Sequence, residues 1–234
     1  MHNGGVPDEL ELYPEATFRD YARTGVDAGI AAIPVIGGSL QTLADVVIAP
    51  SLTKRRDAWL RKLHELMAEL QEKVDYFDPS SLVNDEVFVT AVADASRIAM
   101  GTHLEQKLEL LKNCLAHLAV DDERNDFLDL QLFRFVDDLT PEHFVMLKYL
   151  SSPGAWYDAK GLERPNLANG SRRHLMTSAG LPVTGASLEI VLRDLGDSGL
   201  ANTGSLDTMI TADGVWQSVT TELGRELLDF VSRI

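Results

Sequence analysis

Cys114 and His117 stand three residues apart in "LELLKNCLAHLAVDD", a spacing that puts a thiol and an imidazole on one face of a helix. Such a pair can supply two ligands to a metal ion, but a closed site needs two more at recognisable spacing. The chain has a single cysteine and six scattered histidines, and no further cluster completes the set. A core cysteine beside a surface histidine is therefore the expected reading, and no metal or cofactor is expected. Glycine-rich phosphate loops, nucleophile elbows and the HExxH pattern are absent. Acidic runs such as Asp121-Asp122-Glu123 read as helix caps or solvated faces. "LPVTG", residues 181 to 185, matches a sortase sorting signal by letter, but a charged amphipathic stretch follows it instead of an apolar span and basic tail. Pro182 and Thr184 are better explained as a loop exit and a helix cap. Glu105, Gln106, Lys107 and Asn113 make a helix start of high polar density, expected to be a solvated face, with an interface or groove as the alternative.

Two groups of cations carry the remaining chemistry. Lys54, Arg55 and Arg56 end the glycine-broken apolar stretch "AAIPVIGGSLQTLADVVIAPSLTKRR". Beside an anionic lipid surface each basic residue contributes about 1 kcal/mol, enough for three of them to tip weak binding. Against peripheral membrane contact stand Asp45 within the stretch and a formal net charge of −15. Burial of the 28–49 segment is the simpler expectation, with membrane contact and a partner surface as alternatives. Arg172, Arg173 and Arg193 form the second group, suited to phosphates if they share one face. Residues 151 to 234 hold seven basic and ten acidic side chains, so the local charge weighs against DNA.

The elements that would position these groups are mostly helices. Trp59, Leu60, Leu63, Met67, Leu70 and Val74 recur at helical steps, which predicts an amphipathic helix from Arg56 to Val74, with Pro50 closing an earlier one. Asn84 is the expected cap of a helix from Asp85 to Met100, and a further helix is expected from His103 to Leu118. Another uses Phe127, Leu128, Leu132, Phe135 and Val136. Thr140 followed by Pro141 is a helix start, with proline at the first position where its missing N–H costs nothing. "SSPGAWYDAKGLERPNLANGS" reads as a long loop, then short helices are expected at 171–178 and, capped by Thr184, at 187–195. "SLDTMI" and "VWQSV" around Asp213-Gly214 read as a β-hairpin, and "TTELGRELLDFVSRI" as the closing helix. Helix, helix, helix, hairpin, helix is the order of a winged helix-turn-helix domain, a fold that does not itself set function.

In this order the features resemble the bacterial abortive-infection alpha group of phage-defence proteins. The parallel rests on the apolar glycine-containing front segment, the charged helix after it, "LELLKNCLAHLAVDD", and "FLDLQLFRFVDDLTPEHFVMLKYL". In the last of these an apolar helix leads to Leu139-Thr140-Pro141-Glu142, similar to the group's own helix start. The likeness covers residues 85 to 150 by pattern and the rest by arrangement. It implies a bacterial, defence-associated, non-enzymatic protein and carries over no functional residue.

The chain's 234 residues, 45% hydrophobic and 24% charged, suit a folded protein with one large core or two modest ones. The lone cysteine and the absence of a leader-like N-terminus place the expectation in the cytoplasm. The expected architecture is mainly α: a helical domain over 15–137 and a winged-helix-like domain over 138–234 with a short β-hairpin. The expected function is non-enzymatic, through an unknown protein partner or self-association. A winged-helix transcriptional regulator and a membrane-acting effector using 28–49 are the alternatives.

Overall fold

Pro50 opens the first described helix, where a proline in the first turn has no intrahelical N–H to lose, and the earlier helix it is expected to close lies outside the described residues. The computed structural model describes residues 50–75, 77–120, 125–165 and 169–232, all within one unit, and the expected apolar segment 28–49 and the run 121–124 lie outside them. The fold is mainly helical. In chain order the helices are α1 (Pro50–Lys73), α2 (Pro79–Leu82), α3 (Glu86–Gly101), α4 (Glu105–Val120), α5 (Asp126–Asp138), α6 (Pro141–Ser151), α7 (Pro153–Lys160), α8 (Arg172–Met176), α9 (Gly185–Asp197) and α10 (Glu222–Phe230).

Helices α1, α3 and α4 pack on one another, and α5 closes over α3 and α4. Their shared core is aliphatic, with Leu66, Leu70, Leu111 and Leu115 almost wholly enclosed. Each such side chain contributes about 1.5–3 kcal/mol by leaving water. The helical period of α1 is as expected, with Trp59 and Leu70 buried and Leu63, Met67 and Val74 packed on the core, but the edge of its apolar face differs. Leu66 is buried, whereas Leu60, placed on the apolar face by its spacing, is 54% exposed. Phe127 likewise faces solvent in the first turn of α5, and Phe133 takes the core position. The cap of α3 is Asp85 rather than Asn84: its Oδ1 accepts from the N–H groups of Val87 and Phe88, both at 3.1 Å.

From Thr140 onward the elements shorten. Helix α6 packs on α9, α10 and α7, and α10 also reaches back to α4 and α5. The stretch read as a long loop contains α7, started by Pro153 and stopped by Gly161 at φ 62°, a left-handed conformation that suits glycine. The hairpin expected around Asp213-Gly214 takes another form. Strand β2 (Ile210–Thr211) pairs antiparallel with β1 (Asn169–Gly170), while Gly214–Trp216 is a 3-10 turn. Val215 is wholly buried within that turn. An isolated antiparallel bridge joins Ala201 to Thr220.

Candidate functional site

Lys54, Arg55 and Arg56 occupy the first turns of α1, but they do not act alike. Lys54 is exposed, Arg56 is exposed beside its neighbour Asp57 at 3.3 Å, and Arg55 donates from Nη1 to the Met100 carbonyl at 3.1 Å. Arg55 thereby satisfies an acceptor at the end of α3, where carbonyls have no intrahelical donor. The outward surface of α1 carries Lys54, Asp57, Leu60 and Arg61, all exposed.

The C-terminal arginines separate in the same way. Arg172 donates from Nη2 to the Gly214 carbonyl at 2.9 Å and from Nε to that of Gln217 at 3.4 Å, holding the 3-10 turn. Arg173 lies between Asp207 and Glu189, with a 2.6 Å bond to each carboxylate. These two pairs hold the guanidinium firmly protonated, the Asp207 hydrogen bond being the larger cause. Arg193 projects from α9 into solvent, 3.5 Å from Asp194. The exposed face of α9 comprises Ala186, Glu189, Ile190, Arg193 and Asp197.

The polar start of α4 is not the solvated face its composition suggests. Lys107 is buried and its Nζ bonds the carbonyls of Asp137 (3.0 Å) and Leu139, closing the C-terminal end of α5; burial pushes its ammonium down from the usual lysine range. Asn113 donates to the Val231 carbonyl at 2.8 Å, tying α4 to the end of α10. Glu105 remains exposed and pairs with Lys62 at 3.2 Å. Cys114 is fully enclosed, and burial pushes its thiol up, away from the reactive thiolate. His117 packs edge-on against Phe230, with ring centroids 5.3 Å apart. Among the described residues no group of three His, Cys, Asp or Glu could hold a metal ion.

One cleft, of about 130 Å³, opens between α3 and α5. Arg97 crosses it to Asp137 at 2.6 Å and sits 3.8 Å from Asp94, so its charge is matched within the cleft. Sequence reasoning also missed His143, a buried side chain of α6. Its Nδ1 accepts from the Thr140 backbone N–H at 3.2 Å, and its Nε2 lies 3.3 Å from Asp194 on α9. The imidazole completes the capping box where glutamate or glutamine is the usual partner, which is why the helix-start pattern alone does not disclose it.

No protein-family model, curated protein or solved structure matches the chain. The surfaces therefore speak through their own chemistry. Within the described residues no helix is long and apolar enough to cross a membrane. Leu181 to Gly185, the sorting-signal lookalike, leads directly into α9, with Val183 buried and Thr184 at the N-cap position.

Proposed function

We propose that this chain is a non-enzymatic bacterial protein that works through protein–protein contacts in phage defence or stress response. The observation that carries the contact reading is the engagement of Arg173 by Glu189 and Asp207, at 2.6 Å each. A helix that reads DNA needs cations free to neutralise phosphates. On the outer face of α9 the two carboxylates of Glu189 and Asp197 outnumber Arg193, and the exposed Ile190 adds an apolar anchor. That combination suits another protein better than a polyanion. The defence setting rests on the resemblance of residues 85 to 150 alone.

A winged-helix-like arrangement of 138–234 is supported by the order α6, α7, β1, α8, α9, β2 and α10, with the Ala201–Thr220 bridge closing the stretch between α9 and α10. It is a fold that serves protein contacts as well as DNA. A gel-shift titration with duplex DNA at about 50 mM salt, where phosphate contacts are strongest, tests the reading. No shift is expected. A salt-sensitive shift that weakens in Arg193→Glu, the member of the group that projects into solvent, would favour the regulator alternative instead.

A further inference from the structure

The cleft between α3 and α5 has an apolar end and a charged end. The two helices run the same way, because each lies antiparallel to α4. A short connection, 102–104, folds α4 back on α3, and Lys107 at the start of α4 bonds the carbonyls at the end of α5. Toward the helix N-termini the cleft is lined by Val87, Ala91, Leu130 and Phe133. Toward the C-termini Arg97 closes on Asp137 at 2.6 Å. One turn before that bridge, about 4.5 Å back along each axis, stand Asp94 on α3 and Arg134 on α5.

These two opposite charges share the cleft without pairing. Asp94 is half-exposed, and its nearest cation, Arg97 at 3.8 Å, bonds chiefly to Asp137. Arg134 is exposed and has no carboxylate partner among the described residues. The charge of the whole lining then selects the ligand. Asp94, Asp129 and Asp137 stand against Arg97 and Arg134, so a simple anion would enter a negative excess. A simple cation would leave Arg134 unmatched. A molecule that carries both charges close together meets both walls. Space sets the rest: the cleft holds about 130 Å³, near the ~150 Å³ of a cavity that takes benzene. There is room for one ring or one branched aliphatic group.

We infer that this cleft binds a free α-amino acid with an apolar side chain. The side chain lies against Ala91, Leu130 and Phe133, the ammonium meets Asp94, and the carboxylate meets the forked guanidinium of Arg134. Leu130, 43% exposed at the rim, loses water when the ligand covers it. The inference goes beyond the protein-contact reading and stands or falls without it.

Titration of the full isotope-labelled chain with L-phenylalanine and with L-leucine, followed by amide chemical shifts, is the test. At least one should give saturable shifts centred on α3 and α5, with a Kd of about 1 mM or tighter. Three further probes each lack one element of phenylalanine: its amide lacks the carboxylate, phenylpropionate the ammonium, and glycine the side chain. Each should bind at least about ten-fold more weakly than the better amino acid. Arg134→Ala and Asp94→Asn should each weaken that amino acid by a similar factor. Both positions reach solvent, and unchanged circular dichroism would verify that the variants fold. No saturable shift with either amino acid up to about 20 mM overturns the inference. So do shifts centred away from α3 and α5, and so does affinity that survives Arg134→Ala. Phenylpropionate binding as tightly as the amino acid overturns it too, because the cleft would then be a site for anions.

Discussion

Helices α1 to α5 and the stretch from Thr140 to Ser232 differ in the kind of bond that prevails. In the first, side chains mostly clasp side chains, with main-chain carbonyls served at helix ends by Arg55 and Lys107. Lys62 reaches Glu65, Glu105 and Glu109, the Glu109 bond holding its ammonium above the usual lysine range, and the buried Lys112 reaches Glu69 at 2.9 Å. In the second, beside carboxylate pairs such as those of Arg173 and His143, more of the ties run from side chain to main chain. Tyr157 donates to the Leu175 carbonyl at 2.7 Å, Trp156 to that of Ala179 at 2.8 Å, and Arg172 to that of Gly214. Long helices satisfy their own carbonyls except at their ends, so side-chain pairs do most of the linking between them. Short elements leave carbonyls without partners in enclosed places, and long donors must serve them.

The largest effect should come from closing a place where two stretches of main chain nearly touch. Gly224 lies in the first turn of α10 against the Leu200 carbonyl, which also accepts from the Thr221 N–H at 3.0 Å. A Cβ at position 224 would stand 2.1 Å from that oxygen and 2.6 Å from Thr220 Cγ2. Backbone cannot yield as a side chain tip does, so Gly224→Ala must shift α10 off its seat. A loss of at least about 3 kcal/mol is expected, read as a lower midpoint in urea denaturation. An unchanged midpoint would mean that the C-terminal stretch does not depend on this approach.

Lys112 probes the other region. Its side chain is 2% exposed, while Glu69 is 28% exposed and can regain water if its partner leaves. Lys112→Ala removes both the ion pair and the volume, at a cost of about 2 kcal/mol. Lys112→Met keeps the volume and removes only the charge, so less than about 1 kcal/mol should be lost. If both variants lose the same stability, charge and not packing is what Lys112 contributes. The contrast with the C-terminal stretch would then be sharper.

The two regions were also unequally legible in the sequence. Apolar spacing disclosed all four of the longer helices before Thr140, because a 3.6-residue period repeated over three turns or more outweighs any single residue. Its phase slipped at Leu60 and Phe127, where a neighbouring leucine or phenylalanine competes for the same face. Beyond Thr140 the period rarely completes three turns. Proline and glycine, read as loop in "SSPGAWYDAKG", instead start and stop α7. The cations showed the same limit. Charge and spacing found Arg172 and Arg173, but the partners that occupy them come from Glu189, Asp207, Gly214 and Gln217, which only the tertiary fold brings near.

The smallest expected effect concerns a single cap in the more legible region. Asn84 and Asp85 are both good N-cap residues, and nothing local separates them. The fold selects Asp85, whose carboxylate accepts two N–H bonds and also lies at the positive end of the α3 dipole. Asp85→Ala should cost about 1 kcal/mol, and Asn84→Ala, at an exposed turn position, only a few tenths. Thermal denaturation of both variants makes the comparison directly. Equal, small losses would mean that α3 can start one residue earlier when its cap is removed, with Asn84 then accepting from the Glu86 and Val87 amides.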